Sequence, residues 1–156
     1  MKAELQKIIA DFVKVAKLAE IKIELEDISI EFLNCPHTPP VDIPKGKIAV
    51  YAFFYNQNCL KVGQFGKKSK ARYTSQHYNP NSSKSNLAKN ILKHQNILSL
   101  SGLNNHNISE WIKTNTDRVN ILIDTDFGKL VISLMEAFLH CRFDPVFDGS
   151  SVNNRC

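Results

Sequence analysis

The sequence predicts an α/β (α+β) domain: a small, mostly antiparallel central sheet flanked by helices, preceded by an N-terminal helix and strand extension. Three observations point there. Residues 47–55 (KIAVYAFFY) and 59–62 are apolar, largely β-branched or aromatic runs separated by Asn56-Gln57-Asn58, which reads as a hairpin. Val119, Ile121 and Ile123 alternate with Asn120 and Leu122 as a third strand. Phe127, Leu130, Val131, Leu134, Met135, Phe138 and Leu139 follow i, i+3, i+4, i+7, i+8 spacing, so one face of a helix is apolar.

The remaining elements follow in order. Leu5, Ile8, Ile9, Phe12, Ala16 and Ala19 predict an amphipathic helix over 2–20. Ile21, Ile23 and Leu25, then Ile28, Ile30 and Phe32, alternate with polar residues, predicting a second hairpin within 1–34. Cys35-Pro36-His37-Thr38-Pro39-Pro40 interrupts regular structure, because proline removes backbone donors. The chain therefore divides into residues 1–44, a helix/strand extension with a Pro-rich linker, and residues 45–156, the principal domain. Residues 69–78 predict a short helix, Ser85 caps another running to about Gln95, and Ser109 caps a third containing Trp111. Asn79–Asn86 is a polar loop.

Composition narrows the function. No apolar run approaches the roughly 20 residues that cross a bilayer, and the charge-studded N-terminus does not resemble a signal peptide. The four cysteines are scattered with no CxxC pair, which suits reduced thiols in a cytoplasm. Cys35 and His37 form a close Cys/His pair with no second pair of like spacing to complete a zinc site. The net charge is +5, unevenly placed. Residues 1–42 hold five lysines and eight acids, residues 43–109 hold ten basic residues and no Asp or Glu, and residues 110–156 hold five basic residues and seven acids. A basic stretch of that length suits a polyanion, since neutralised phosphates release counterions. Lys67, Lys68, Lys70, Lys84, Lys89 and Lys93 are candidate phosphate contacts.

Within this frame a set of chemically capable residues recurs in order. Tyr51 lies on the first hairpin strand and Lys61 on the second, with Gly63 two residues on. Arg72 follows Lys61 by eleven residues and His77 follows Arg72 by five. Glu136 sits beside, not within, the apolar stripe of the last helix.

Ala49-Val50-Tyr51, Lys61-Val62-Gly63, the stretch from Gln64-Phe65-Gly66 to Arg72, and Glu136 together resemble the GIY-YIG nuclease superfamily, over roughly residues 45–149. Ala49 stands for the first glycine, and Lys61 for the second tyrosine, as in some restriction endonucleases that look similar there. His77 or Tyr73 falls where the family commonly has a further polar catalytic residue, and Asp148 falls where it often has asparagine. The resemblance implies a GIY-YIG-like fold and a metal-dependent endonuclease cleaving nucleic acid, DNA above RNA, to 5′-phosphate and 3′-hydroxyl ends. It implies one Mg²⁺ or Mn²⁺ held by Glu136, and Tyr51 accepting a proton from the attacking water directly or through a relay. An unperturbed phenol near pKa 10 is too weakly ionised for that, so Lys61, Arg72 and the metal are expected to lower it. Arg72 clamps phosphate oxygens with its planar fork, and His77 either shuttles a proton or binds phosphate. A homodimer is the symmetric way for so short a chain to cut two strands. The rival readings are a non-catalytic nucleic-acid-binding module on the same scaffold and a basic protein that contacts an acidic partner. A carboxylate near phosphates, which repels them unless a metal intervenes, disfavours the first, and the second predicts no salt-sensitive DNA binding.

Overall fold

A computed structural model describes residues 2–66, 70–83, 86–149 and 151–153. It has helices on both faces of a four-stranded antiparallel sheet, an α+β fold as the sequence predicts. The strands are β1 (Ser29–Leu33), β2 (Lys47–Tyr55), β3 (Asn58–Phe65) and β4 (Asp117–Asp124), in the order β1-β4-β2-β3. The Asn56-Gln57 turn joining β2 to β3 has two positive φ angles, 46° and 66°, matching the twist of a tight hairpin.

Both faces of β2 are buried, because successive side chains point to opposite sides. Ile48, Val50, Ala52 and Phe54 meet α1 (Lys2–Leu18) and α5 (Gly128–Phe143). Ala49, Tyr51 and Phe53 instead face α2 (Lys70–Thr74), α3 (Leu87–Lys93) and α4 (Ile108–Asn115). A bulge opposite Phe53 and Phe54 inserts Leu60 into β3. It leaves Cys59 and Val62 in the first core while Leu60 enters the second and Lys61 pairs with Phe53. Lys61 thereby shares the Tyr51 face, since directly paired residues point to the same side. The N-terminal segment joins the same architecture: β1 pairs with β4, and Phe12 of α1 stacks 5.7 Å from Phe138 of α5.

Several local expectations are corrected. There is no hairpin in residues 1–34, only β1. The Ile21–Leu25 stretch leads into a 3-10 turn, Leu25–Asp27, because the Asp27 carboxylate accepts the Glu24 N–H at 2.9 Å and winds the chain before it can pair. The helix of residues 69–78 is broken into α2 and a 3-10 turn, Gln76–Tyr78. Ser85 lies outside the described residues; the cap of α3 is Asn86, whose side-chain oxygen accepts the Lys89 N–H at 2.8 Å. Ser109 lies inside α4, whose N-cap is Asn107. A small hairpin, β5 (Phe147–Asp148) with β6 (Ser151–Val152), follows α5 and was not foreseen. Among the described residues no helix is long and apolar enough to cross a membrane.

Candidate active site

The chemistry collects around the edge strand β3. Gln64 presents its side chain to α5, where its amide donates to Glu136 Oε2 at 2.8 Å and to Ser133 Oγ at 3.2 Å. Its backbone carbonyl accepts from Arg72 Nη1 of α2 at 3.1 Å. One residue thus ties Arg72 and Glu136 together, although their helices cover opposite faces of the sheet. Arg72 is exposed and Glu136 half-exposed, so both can meet a ligand.

Tyr51 and Lys61 lie on the α2 side of the same strands, within electrostatic reach of both Arg72 and Glu136. They are diagonal neighbours across β2 and β3, Tyr51 opposite Gly63 and Lys61 opposite Phe53. Gly63 has no side chain for a direct reason: a Cβ there would run into the Tyr51 hydroxyl and ring. Lys61 is 4% exposed and donates to the Gly149 carbonyl at 2.7 Å, which also accepts from Asn90 Nδ2 at 3.0 Å. The β5–β6 turn is therefore moored to the site.

Burial moves the two groups in opposite directions. It depresses the Lys61 ammonium to about 8, opposed by the Asp148 and Glu136 carboxylates and assisted by Arg72. It raises the Tyr51 phenol well above its ordinary value, and the pull of Arg72 and Arg118 does not offset that. The expectation that Lys61 and Arg72 lower the Tyr51 pKa is thus corrected for the protein alone. Desolvation of a phenolate behind Gly63 outweighs the cations near it.

His77 is buried against Tyr51 instead of being presented to solvent. It is 1% exposed, its ring 4.6 Å from Tyr51 and 5.5 Å from Phe53, and its Nδ1 accepts the Leu87 N–H at 3.3 Å. Burial and the Arg118 charge hold its pKa well below the ordinary value. Its Nε2 finds no partner among the described residues. The neutral ring packed against Tyr51 is shielded from solvent.

The basic residues divide. Lys67, Lys68 and Lys84 lie outside the described residues. Lys70 pairs with Asp42 at 3.1 Å, while Lys89 and Lys93 are exposed along α3. Asp148 is exposed beside the Lys61 anchor and acts on it electrostatically. His37 is not placed to ligate a metal: Nδ1 meets the Thr116 carbonyl at 2.9 Å and Nε2 the Tyr78 hydroxyl at 2.8 Å.

The sequence reading missed the polar layer under Tyr51. Arg118 is fully buried, its guanidinium carbon 5.7, 5.2 and 5.1 Å from the rings of Tyr51, Phe53 and Tyr73. Its Nε donates to Asn120 Oδ1 at 2.9 Å, Asn120 Nδ2 to Glu31 Oε2 at 2.6 Å, and the Tyr73 hydroxyl to the same oxygen at 2.9 Å. The available signal was Arg118 and Asn120 at alternate positions in β4, opposite the apolar Val119, Ile121 and Ile123. Alternation alone made that side look wet.

Glu136 fits a hard divalent cation. Gln64 fixes one carboxylate oxygen, and the other has no partner among the described residues. No three His, Cys, Asp or Glu side chains converge among the described residues, so Glu136 would hold the ion with water completing its shell. No protein family, curated protein or solved structure matches the chain.

Proposed function

We propose that the chain is a metal-dependent endonuclease of the GIY-YIG type that hydrolyses phosphodiester bonds, with DNA as substrate. The observation that supports the proposal is the Gln64 link, which draws the Arg72 guanidinium and the Glu136 carboxylate to one edge strand, within electrostatic reach of Tyr51 and Lys61. A pure binding surface has no use for the carboxylate.

In this reading Arg72 holds non-bridging phosphate oxygens with its fork and orients the phosphorus for attack. The water proton passes by way of the Tyr51 hydroxyl to Lys61, whose neutral amine becomes populated near pH 8. The water oxygen bonds to phosphorus, the P–O3′ bond breaks, and the 3′-oxygen takes a proton from solvent. Glu136 would hold a Mg²⁺ or Mn²⁺, which would supply charge neutralisation at the phosphodiester. The buried His77 and Arg118 keep the Tyr51 ring in place.

The test is cleavage of supercoiled plasmid with Mg²⁺ or Mn²⁺. The wild-type protein nicks or linearises the plasmid, whereas EDTA abolishes cleavage and Glu136→Ala lowers it by roughly 100-fold or more, the scale of losing a principal electrostatic stabiliser. Tight, salt-sensitive DNA binding with no cleavage would replace the enzyme by a binding module on this scaffold.

A further inference from the structure

One cross-strand row runs through the site: Glu31 of β1, Asn120 of β4, Tyr51 of β2 and Gly63 of β3 are successive register partners. Glu31 comes from the N-terminal segment. A single oxygen of it, Oε2, accepts from both Asn120 Nδ2 and the Tyr73 hydroxyl, at 2.6 and 2.9 Å. Tyr73 immediately follows Arg72 on α2, a helix of five residues that is too short to hold its own shape. Its anchors include the Tyr73 ring, 4.3 Å from Phe65, the Tyr73 hydroxyl on Glu31, Arg72 on the Gln64 carbonyl, and the exposed Lys70–Asp42 ion pair at 3.1 Å. The other arm from Glu31 reaches Arg118 through Asn120, and no carboxylate lies within ion-pair distance of that buried guanidinium among the described residues.

We propose that Glu31 is a positioning residue of the site: through Tyr73 it sets the pose of Arg72, and through Asn120 it holds Arg118 beneath Tyr51. The inference rests on the phosphodiesterase reading and extends it to the N-terminal segment, which supplies a part the principal domain lacks. Burial and the neighbouring Glu31 carboxylate push the Tyr73 phenol up, so it stays a donor throughout the working pH range.

Tyr73→Phe removes only the hydroxyl and is the first variant to make. The expected result is a roughly tenfold lower kcat for plasmid cleavage, with KM unchanged within about twofold, the signature of an interaction used in the transition state. The unfolding midpoint should stay within about 3 °C of wild type. In an Arg72→Lys background, which keeps the charge and loses the fork, Tyr73→Phe should change the rate by less than about twofold, because the two residues act as one unit. Glu31→Gln, which keeps an acceptor oxygen, should lose less activity than Glu31→Ala. Wild-type cleavage with rate losses that simply multiply in the double variant, or that track a falling unfolding midpoint, overturns this proposal alone and leaves Glu31 as packing. Absence of wild-type cleavage with either metal overturns the phosphodiesterase reading, and this inference falls with it.

Discussion

Lys61 illustrates what a buried ammonium costs its fold. A lysine 4% exposed whose pKa is held near 8, against 10.5 in open solution, is less stable protonated inside the protein than outside. Because the folded pKa is the lower one, the unfolded chain binds more protons between about 8 and 10.5, so this residue's contribution to stability improves as pH rises through that window. Below about 8 the full penalty stands, on the order of 3 kcal/mol before the Gly149 hydrogen bond is credited. Lys61→Met should therefore abolish plasmid cleavage yet raise stability in urea at pH 7 by about 1–2 kcal/mol, as replacing buried charge by apolar bulk often does. A less stable methionine variant would mark the ammonium as structural. The same value fixes the rate profile. Wild-type cleavage should climb with a single-proton slope to a plateau above about pH 8, and a flat profile from pH 6 to 9 would remove Lys61 from the proton path.

At the scale of elements, the strand bulge and the N-terminal segment matter most. Without the bulge at Leu60, the alternation that puts Val62 in the first core and Lys61 beside Tyr51 would turn Leu60 into the first core and Cys59 out of it. The N-terminal segment contributes a strand to the sheet and a helix to the first core. Leu5, Ile8, Ile9, Phe12, Val13 and Ala16 of α1 are all buried in that cluster, so α1 is part of the core. Phe12→Ala should cost about 3–5 kcal/mol in chemical denaturation, the usual range for emptying a buried aromatic site. A loss below about 1 kcal/mol would show instead that α1 is a detachable extension.

At the scale of the molecule, charge is sorted between segments. The acid-free stretch 43–109 is partly neutralised by its flanks, Lys47 by Asp124 at 2.9 Å and Lys70 by Asp42 at 3.1 Å. Lys89, exposed on α3, enters no ion pair among the described residues. Duplex DNA affinity should fall steeply with salt, and Lys89→Ala should flatten the log–log slope by about one phosphate contact. Lys47→Ala, whose charge already has a carboxylate, should flatten it by less than about 0.3. Equal effects from both substitutions would mean that α3 does not lie on the nucleic-acid path.

The sequence by itself determined the strands β2, β3 and β4 and the helices α1 and α5, because those features rest on local periodicity, whereas Tyr51, Lys61, Arg72 and Glu136 were singled out by a family resemblance. Tertiary structure decided what depends on a second layer. Alternation in β4 marked Val119, Ile121 and Ile123 as buried and left Arg118 and Asn120 as apparent surface, yet α2, α3 and α4 close over that side and turn both into a buried network. His77 likewise looked available beside Arg72 until the 3-10 turn folded it against Tyr51. Gln64 carried no signal of its own, since an edge-strand amide acquires meaning only from the two helices that meet it. The ionisation of Tyr51 and Lys61 was out of reach for the same reason: charges nearby in sequence suggested a lowered phenol, and desolvation, which only the folded chain sets, took it the other way.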